Sequence, residues 1–452
     1  MKLALVISAL AVALTGCGGG GGGGSSGTSN VTSTSVANGV SISSTSAASS
    51  SSPFIPSLVT GDFKGDGSTY VVLSGWIVGT AVPSVKIYKV DATGATDSTT
   101  EVLGGDFSLS VQYPLVADFN QDGIDDIFFA GFTDITGYTE FNQSVAFMSR
   151  SGQSHLRVDV QGLTWSHGAT VLDLNNDGWL DVSNQGGDFW INNQANGFTY
   201  LPRHQLQTLA GIGLCSGDLD NSGTVSIVVT DVTINNPTKD AWIFKLDSNL
   251  QPYKVAELPV PYFDRTSTTT RRSHDVSCVV GDLNNDGKLD IVMISALTDD
   301  SIVAVSGAQS MVQIYMNQGN LTFTETTDTA IAGYNQSTLS SYTPRLIDLN
   351  GDGKLDLWLM NTNRTVSSSG IAGSANQAWI NSGTGTFTQA KSSYLNIVVQ
   401  AYNLLSGSSS NTAGIMIPVK INGAWNFAIC NSWSNGALTI TYFGYAKSQL
   451  TF

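Results

Sequence analysis

From Ser57 onward, short apolar runs recur, each closed by an aspartate-rich polar turn and followed by a second apolar run. Leu115-Val116-Ala117 precedes one such turn and Ile127-Phe128-Phe129-Ala130 follows it. Val279-Val280 and Ile291-Val292-Met293-Ile294 repeat the arrangement. Runs this short cannot make helices, and Gly, Asn and Asp between them are turn formers, so each pair predicts a β-hairpin with an acidic tip. A second hairpin follows in each unit: Trp190-Ile191-Asn192 before Gly197-Phe198, Tyr315-Met316-Asn317 before Gly319 and Phe323, and Trp379-Ile380-Asn381 before Gly385 and Phe387. Tyr88, Phe147, Trp242 and Trp425 fill the first aromatic slot in the other units. An aromatic recurring at one slot fits packing between units better than a sugar-stacking platform.

The turn reads D-x-N-x-D-G-x-x-D. Complete copies begin at Asp118, Asp173, Asp282 and Asp348, and decayed copies begin at Asp62 and Asp218. The first aspartates are separated by 56, 55, 45, 64 and 66 residues, so the 396 residues from Ser57 to Phe452 hold about seven units. Two hairpins per unit make a four-stranded antiparallel sheet, and radial packing covers both faces of such sheets while leaving only short edges. The expected fold is all-β, a seven-bladed β-propeller of four-stranded antiparallel blades. The seventh blade is expected between Asn396 and Tyr445, where strand-like runs occur without the acidic turn. A parallel β-solenoid would need a shorter, stricter period.

Composition agrees. Forty-eight glycines and only 12 % charged residues disfavour a helical bundle. Twenty basic against 35 acidic side chains, a net charge of -15, disfavour a nucleic-acid partner. Residues 1–16 read as a lipoprotein signal peptide: a positive start, an apolar stretch from Leu3 to Leu14 too short to span a bilayer, then Leu14-Thr15-Gly16-Cys17. That end resembles the lipobox of bacterial lipoproteins, which implies a lipidated Cys17 and a membrane partner through the lipid. An ordinary cleaved signal is the blander reading. Gly18, where an Asp would resemble a retention signal, points to the outer membrane, facing the periplasm or the exterior. Residues 17–52, rich in Gly, Ser and Thr, read as a flexible linker, leaving 53–452 for the propeller. Of the remaining cysteines, Cys215 and Cys278 each shortly precede an acidic turn, and separate buried thiols are favoured over a disulfide there.

Alternation at positions 1, 3 and 5 puts oxygen side chains inside a tight turn, Gly at 6 permits the bend, position 7 offers a carbonyl and position 9 closes. Oxygen ligands without His or Cys favour calcium over zinc or copper, and magnesium demands stricter geometry. About four Ca²⁺ sites are expected. Their ligands would be Asp118, Asn120, Asp122, Ile124 and Asp126; Asp173, Asn175, Asp177, Trp179 and Asp181; Asp282, Asn284, Asp286, Lys288 and Asp290; and Asp348, Asn350, Asp352, Lys354 and Asp356. Weak or degenerate binding is expected at Asp218 and Asp220, whose turn has Ser222 and Ser226 at positions 5 and 9, and at Asp62 and Asp66. In that last turn Lys64 stands at position 3, either as an ammonium substituting for the metal or as an ordinary solvated lysine.

On these units the chain resembles the FG-GAP/VCBS repeat family, whose blades build the seven-bladed propeller of integrin α-subunits and many bacterial surface proteins. The resemblance covers Ser57 to Phe452, strongly in four units and partly in two. It implies a calcium-stabilised binding or adhesion module for a protein or glycan ligand. Loops opposite the acidic turns offer Trp165, His167, His204, Arg271, Arg272, His274, Tyr342 and Arg345 as candidate ligand contacts, since cations and aromatics on an acidic body suit a carboxylated sugar or acidic peptide. Scattered loop residues are the bland alternative. The family also supports a few catalytic propellers such as polysaccharide lyases, but no nucleophile-elbow, zincin or P-loop motif is present, so a lyase-like enzyme and an envelope-assembly scaffold stand as alternatives.

Overall fold

The structure, a computed structural model, describes residues 32–36, 40–49, 54–77, 84–91, 94–108, 114–130, 143–163, 169–184, 187–194, 197–202, 213–230, 241–259, 273–297, 310–331, 341–361, 377–390, 415–421, 424–431 and 437–444. Two strands come from the N-terminal segment, β1 (Thr32–Val36) and β2 (Val40–Ser49). Six blades of consecutive antiparallel strands follow. The first has β3 (Phe54–Gly61), β4 (Thr69–Ile77), β5 (Ser84–Asp91) and β6 (Gly94–Asp97), with β7 (Phe107–Ser108) added beside β5. The second has β8 (Pro114–Ala117), β9 (Asp126–Phe129), β10 (Gln143–Met148) and β11 (Leu156–Leu163). The third has β12 (Ala169–Leu172), β13 (Asp181–Asn184), β14 (Phe189–Asn192) and β15 (Phe198–Leu201). The fourth has β16 (Leu214–Gly217), β17 (Ser226–Val229), β18 (Trp242–Leu246) and β19 (Pro252–Glu257). The fifth has β20 (Ser273–Gly281), β21 (Asp290–Leu297), β22 (Ser310–Gly319) and β23 (Thr322–Glu325). The sixth has β24 (Ser341–Ile347), β25 (Asp356–Asn361), β26 (Gln377–Asn381) and β27 (Phe387–Gln389).

The first strands of successive blades touch in order, β3 to β8 to β12 to β16 to β20 to β24, so the blades radiate around an axis as a β-propeller. Seven like blades were expected and six are present among the described residues. The remaining sheet is built differently. Its five strands run β1-β2-β30-β29-β28, joining the N-terminal segment to β28 (Ile415–Ile421), β29 (Ala424–Asn431) and β30 (Ala437–Gly444). β28 touches both β25 and β3, which closes the circuit between the sixth and first blades. Residues 40–49, expected in the linker, are thus strand β2, paired with β30 from Ile42↔Phe443 to Ser49↔Ala437. The segment Val40–Ser49 carries no charge and is dense in β-branched and small residues, a composition that suits a strand once a partner edge exists.

The core lies between blades. Phe119, Phe128 and Trp190 pack the second blade against the third, and Val292, Leu357 and Trp379 pack the fifth against the sixth. The residue after the acidic turn pairs with the aromatic slot in every blade: Val71 with Tyr88, Ile127 with Phe147, Val182 with Trp190, Ile227 with Phe244, Ile291 with Tyr315 and Leu357 with Trp379. In the fourth blade that slot is Phe244. Trp242, assigned there from sequence, lies two residues earlier and faces Val229. These aromatics are buried in the packing between sheets.

Cys215 and Cys278 are joined by a disulfide across a sequence separation of 63, with Cα atoms 5.6 Å apart. The expectation of separate thiols is corrected. Each lies on the first strand of its blade, β16 and β20, and these strands are neighbours around the axis. A ring of similar repeats brings the first strands of successive blades side by side, and the two cysteines stand one residue out of step, three before Asp218 and four before Asp282.

Candidate metal centre

All six acidic turns join the first strand of a blade to the second and share one backbone shape. Position 4 has positive φ throughout: Gly65 at 64°, Gln121 and Asn176 at 57°, Asn221 at 56°, Asn285 at 58° and Gly351 at 74°. Asn and Gly tolerate that conformation best, which explains the recurring Asn before the fifth position. The glycine at position 6 also has positive φ, for example 84° at Gly123 and 83° at Gly353, and a Cβ at either would meet nothing within 4 Å. Glycine is needed there for its backbone freedom and not for space.

The first aspartate holds this shape. One carboxylate oxygen accepts the N–H of position 5 and the other that of position 6: at Asp118 from Asp122 (3.0 Å) and Gly123 (2.8 Å), and at Asp282 from Asp286 (3.1 Å) and Gly287 (2.9 Å). Asp173 and Asp348 do the same, and so do Asp62 and Asp218 in the decayed turns. The turn therefore folds alike with or without a full ligand set. Three side chains at position 4 reach into the next blade, two of them to its acidic turn and Asn285 to the hairpin between β26 and β27. Gln121 donates to the carbonyl of Gly178, Asn221 to that of Gly287 and Asn285 to that of Gly383.

The ninth position behaves differently from the others. Asp126, Asp181, Asp290 and Asp356 are fully buried. In each, one oxygen accepts the N–H of position 2, from Phe119, Leu174, Leu283 or Leu349, at 2.7 to 2.9 Å. The other accepts the N–H of Ser149, Asn192, Asn317 or Asn381, two residues beyond the aromatic slot on or just after the third strand. Burial pushes these carboxyls up, to about 6 at Asp126, Asp290 and Asp356 and about 7 at Asp181, against the lowering effect of the backbone N–H bonds. This tie from turn to third strand was not foreseen from sequence. The signal was available, because the acid at position 9 goes with Asn or Ser at the later position, whereas Tyr70 and Ser226 go with Val90 and Leu246.

The donors at positions 1, 3 and 5 are carboxylate and amide oxygens, the chemistry a hard cation takes. The amide oxygens of Asn120, Asn175, Asn284 and Asn350 accept the N–H of position 5, and the position-5 acid accepts the N–H of Ile124, Trp179, Lys288 or Lys354. The outer oxygen of that acid draws a further donor in each full turn. Ser149 Oγ lies 2.9 Å from Asp122, Asn175 Nδ2 3.0 Å from Asp177, Lys288 Nζ 2.7 Å from Asp286 and Lys354 Nζ 3.4 Å from Asp352. Among the described residues no three acid, imidazole or thiol groups converge as a ligand cluster. Each oxygen of the ninth aspartate keeps lone-pair capacity beyond its backbone bonds in the third and fifth blades, where it accepts only two, so the residues present fit a hard cation by donor type.

In the first blade Lys64 does not occupy the turn. Its ammonium pairs with Glu101 at 3.3 Å, on helix α1 (Thr99–Leu103). Asp66 is met instead by Lys89 of β5 at 2.8 Å. A side chain rooted at position 3 lies beside helix α1, whereas one from the third strand faces the turn's interior.

Of the expected ligand-face residues, Trp165, His167, His204, Arg271 and Arg272 lie outside the described residues, as does Cys17. His274 is on β20 opposite Ala296, Tyr342 is at the register shift of β24, and Arg345 is on β24 opposite Trp358. No helix among the described residues is long and apolar enough to cross a membrane.

The fold and its acidic hairpins define a β-propeller with repeated D-x-x-x-D-G turns. Residues 298–359 match the FG-GAP-like repeat family, so the chain carries an FG-GAP-like repeat spanning the fifth and sixth blades. No curated protein matches the chain. Among solved structures it is similar to the exotype rhamnogalacturonan lyase YesX (13 % identity, 90 % of this chain and 74 % of that one, TM-score 0.39). It is also similar to the rhamnogalacturonan lyase YesW (10 %, 90 % and 73 %, 0.39) and to a Bifidobacterium bifidum s17 protein assigned as an exo-β-1,3-galactanase (11 %, 60 % and 95 %, 0.32).

Proposed function

We propose that the chain is an exported, lipid-anchored propeller of the bacterial envelope that binds a protein or glycan ligand without transforming it, its rim of acidic turns stiffened by calcium. The observation that carries the metal reading is the position-5 carboxylate, which attracts a hydroxyl, amide or ammonium donor in all four full turns. Closely spaced carboxylates and amide oxygens at a solvent-facing bend are stabilised by a positive charge among them. A rigid ring with connecting loops at its other end is a suitable platform for a ligand, because loops on a fixed scaffold carry recognition. Anchoring rests on Cys17 and its preceding apolar stretch.

The test uses the full chain in detergent, because β1 and β2 belong to the closing sheet and truncation at residue 53 removes them. Glycan arrays and envelope-protein panels are probed with calcium and with EDTA. Saturable binding that weakens in EDTA, with the glycan recovered intact, is expected. Appearance of unsaturated or newly reducing sugar ends would replace binding with catalysis. Labelled palmitate is expected in the wild type and absent from Cys17→Ala.

A further inference from the structure

Lys245 and Lys89 occupy one equivalent place, the residue directly after the aromatic slot on the third strand. In the four blades with an acid at position 9 that place holds Met148, Ile191, Met316 or Ile380. In the two blades where Tyr70 or Ser226 replaces the acid, it holds lysine. Tyr70 pairs with Lys89 across the ladder, so the lysine comes from directly beside the lost carboxylate. Loss of the ninth acid and gain of this lysine thus coincide twice within one chain.

The geometry is that of a bound cation. Lys245 Nζ lies 2.8 Å from an oxygen of Asp220, 2.8 Å from Ser222 Oγ and 2.9 Å from Thr224 Oγ1, at positions 3, 5 and 7 of the turn. Its side chain is only 12 % exposed. The second oxygen of Asp220 lies at 2.7 Å, so four oxygens from three side chains surround the three N–H donors of the ammonium. Lys89 Nζ lies 2.8 Å from Asp66 at position 5 and 5.6 Å from the centre of the Tyr70 ring, whose π face receives a cation in place of the carboxylate. Lys288 and Lys354 differ. They rise from position 7 of their own turns and not from the third strand, and like Lys89 they are about a third exposed, so what sets them apart is where they are rooted.

We infer that in the first and fourth blades a lysine ammonium from the third strand takes the place of the metal ion, so these two turns draw their positive charge from the chain itself and bind no calcium. This rests on the reading that the four full turns bind calcium.

The experiment measures hydrogen–deuterium exchange on the full chain, in calcium and in EDTA, for wild type and Lys245→Met. It also counts bound calcium by equilibrium dialysis in a variant combining Lys245→Met with Ser222→Asp and Ser226→Asp. In wild type, residues 218–226 are expected to exchange equally in both buffers while residues 282–290 are protected by calcium. K245M is expected to speed exchange of 218–226 in EDTA by about tenfold, as befits loss of charge-assisted bonds in a local opening. The combined variant is expected to bind more calcium per chain than wild type. Calcium protection of 218–226 in wild type, or unchanged exchange in K245M, overturns the inference. If calcium protects no turn at all, the metal reading of the four full turns fails, and the K245M exchange in EDTA still decides the lysine's role. Lys89→Met, read at residues 62–70, gives the same decision should K245M fail to fold.

Discussion

Asn317 donates its side-chain amide to the carbonyl of Leu219, 98 residues earlier in the preceding blade, at 2.7 Å. The same amide reaches the Leu289 carbonyl in its own blade at 2.9 Å. Asn381 repeats this with Leu283 and Leu355, and Asn192 with Phe119 and Leu180. Because the N–H of each asparagine also binds the ninth aspartate, one residue ties turn, third strand and neighbouring blade together.

Asn317→Ala should therefore leave two buried carbonyls without their donor and destabilise the fold by about 2 to 4 kcal/mol. Thermal denaturation should show a lower midpoint for this variant, while Asn249→Ala, on a fourth-blade turn outside this network, should shift it little. Equal midpoints would remove the latch from the account.

Acid sensitivity has a definite sign. The carboxyls of Asp126, Asp290 and Asp356 lie near 6 and that of Asp181 near 7 in the folded chain, above their ordinary range. Between the unfolded and folded values the native state holds protons that the unfolded chain does not, so this contribution to stability is full at low pH and is lost as pH rises through 6 to 7. In EDTA, denaturant midpoints should rise as pH is lowered from 8 to 5.5, by up to about 1.4 kcal/mol per pH unit for each such group. A midpoint that falls over that range would contradict the burial of these acids. Asp181→Asn should flatten the profile most in the region above pH 6, because its carboxyl is the highest.

The Cys215–Cys278 bridge joins adjacent inner strands and encloses a loop of 63 residues. Replacing both cysteines with serine should cost about 2 to 4 kcal/mol, by releasing the unfolded chain from a closed loop. Free-thiol titration of the unfolded wild type should find this pair unreactive until a reductant is added. Two more reactive thiols in the wild type than in the double-serine variant, both without reductant, would place the pair in the reduced state.

The hairpins and their order were legible in sequence because they rest on local patterns: apolar pairs around Asp118 to Asp126, and Trp or Tyr before Asn. Pairings across blades were not, since nothing near Cys215 points to Cys278, and nothing in a Ser/Thr-rich segment points from Val40–Ser49 to β30. The acidic turn was read as a uniform cage because aspartate suits several tasks. The structure divides them: Asp118 shapes the turn, Asp122 faces a donor, and Asp126 is buried as a tie to the third strand. Lys64 drew notice by lying within the motif. Lys89 and Lys245 lie in strands far along the chain, and only the ladder register reveals their place.

Calcium titration of the metal-stripped full chain by calorimetry, with parallel melts, tests the central proposal most directly. About four equivalents should bind, and mass action at sites of about 10⁻⁴ M in millimolar calcium should add about 1.4 kcal/mol per site and raise the melting midpoint. Absence of heat and an unchanged melt in calcium and EDTA would contradict it.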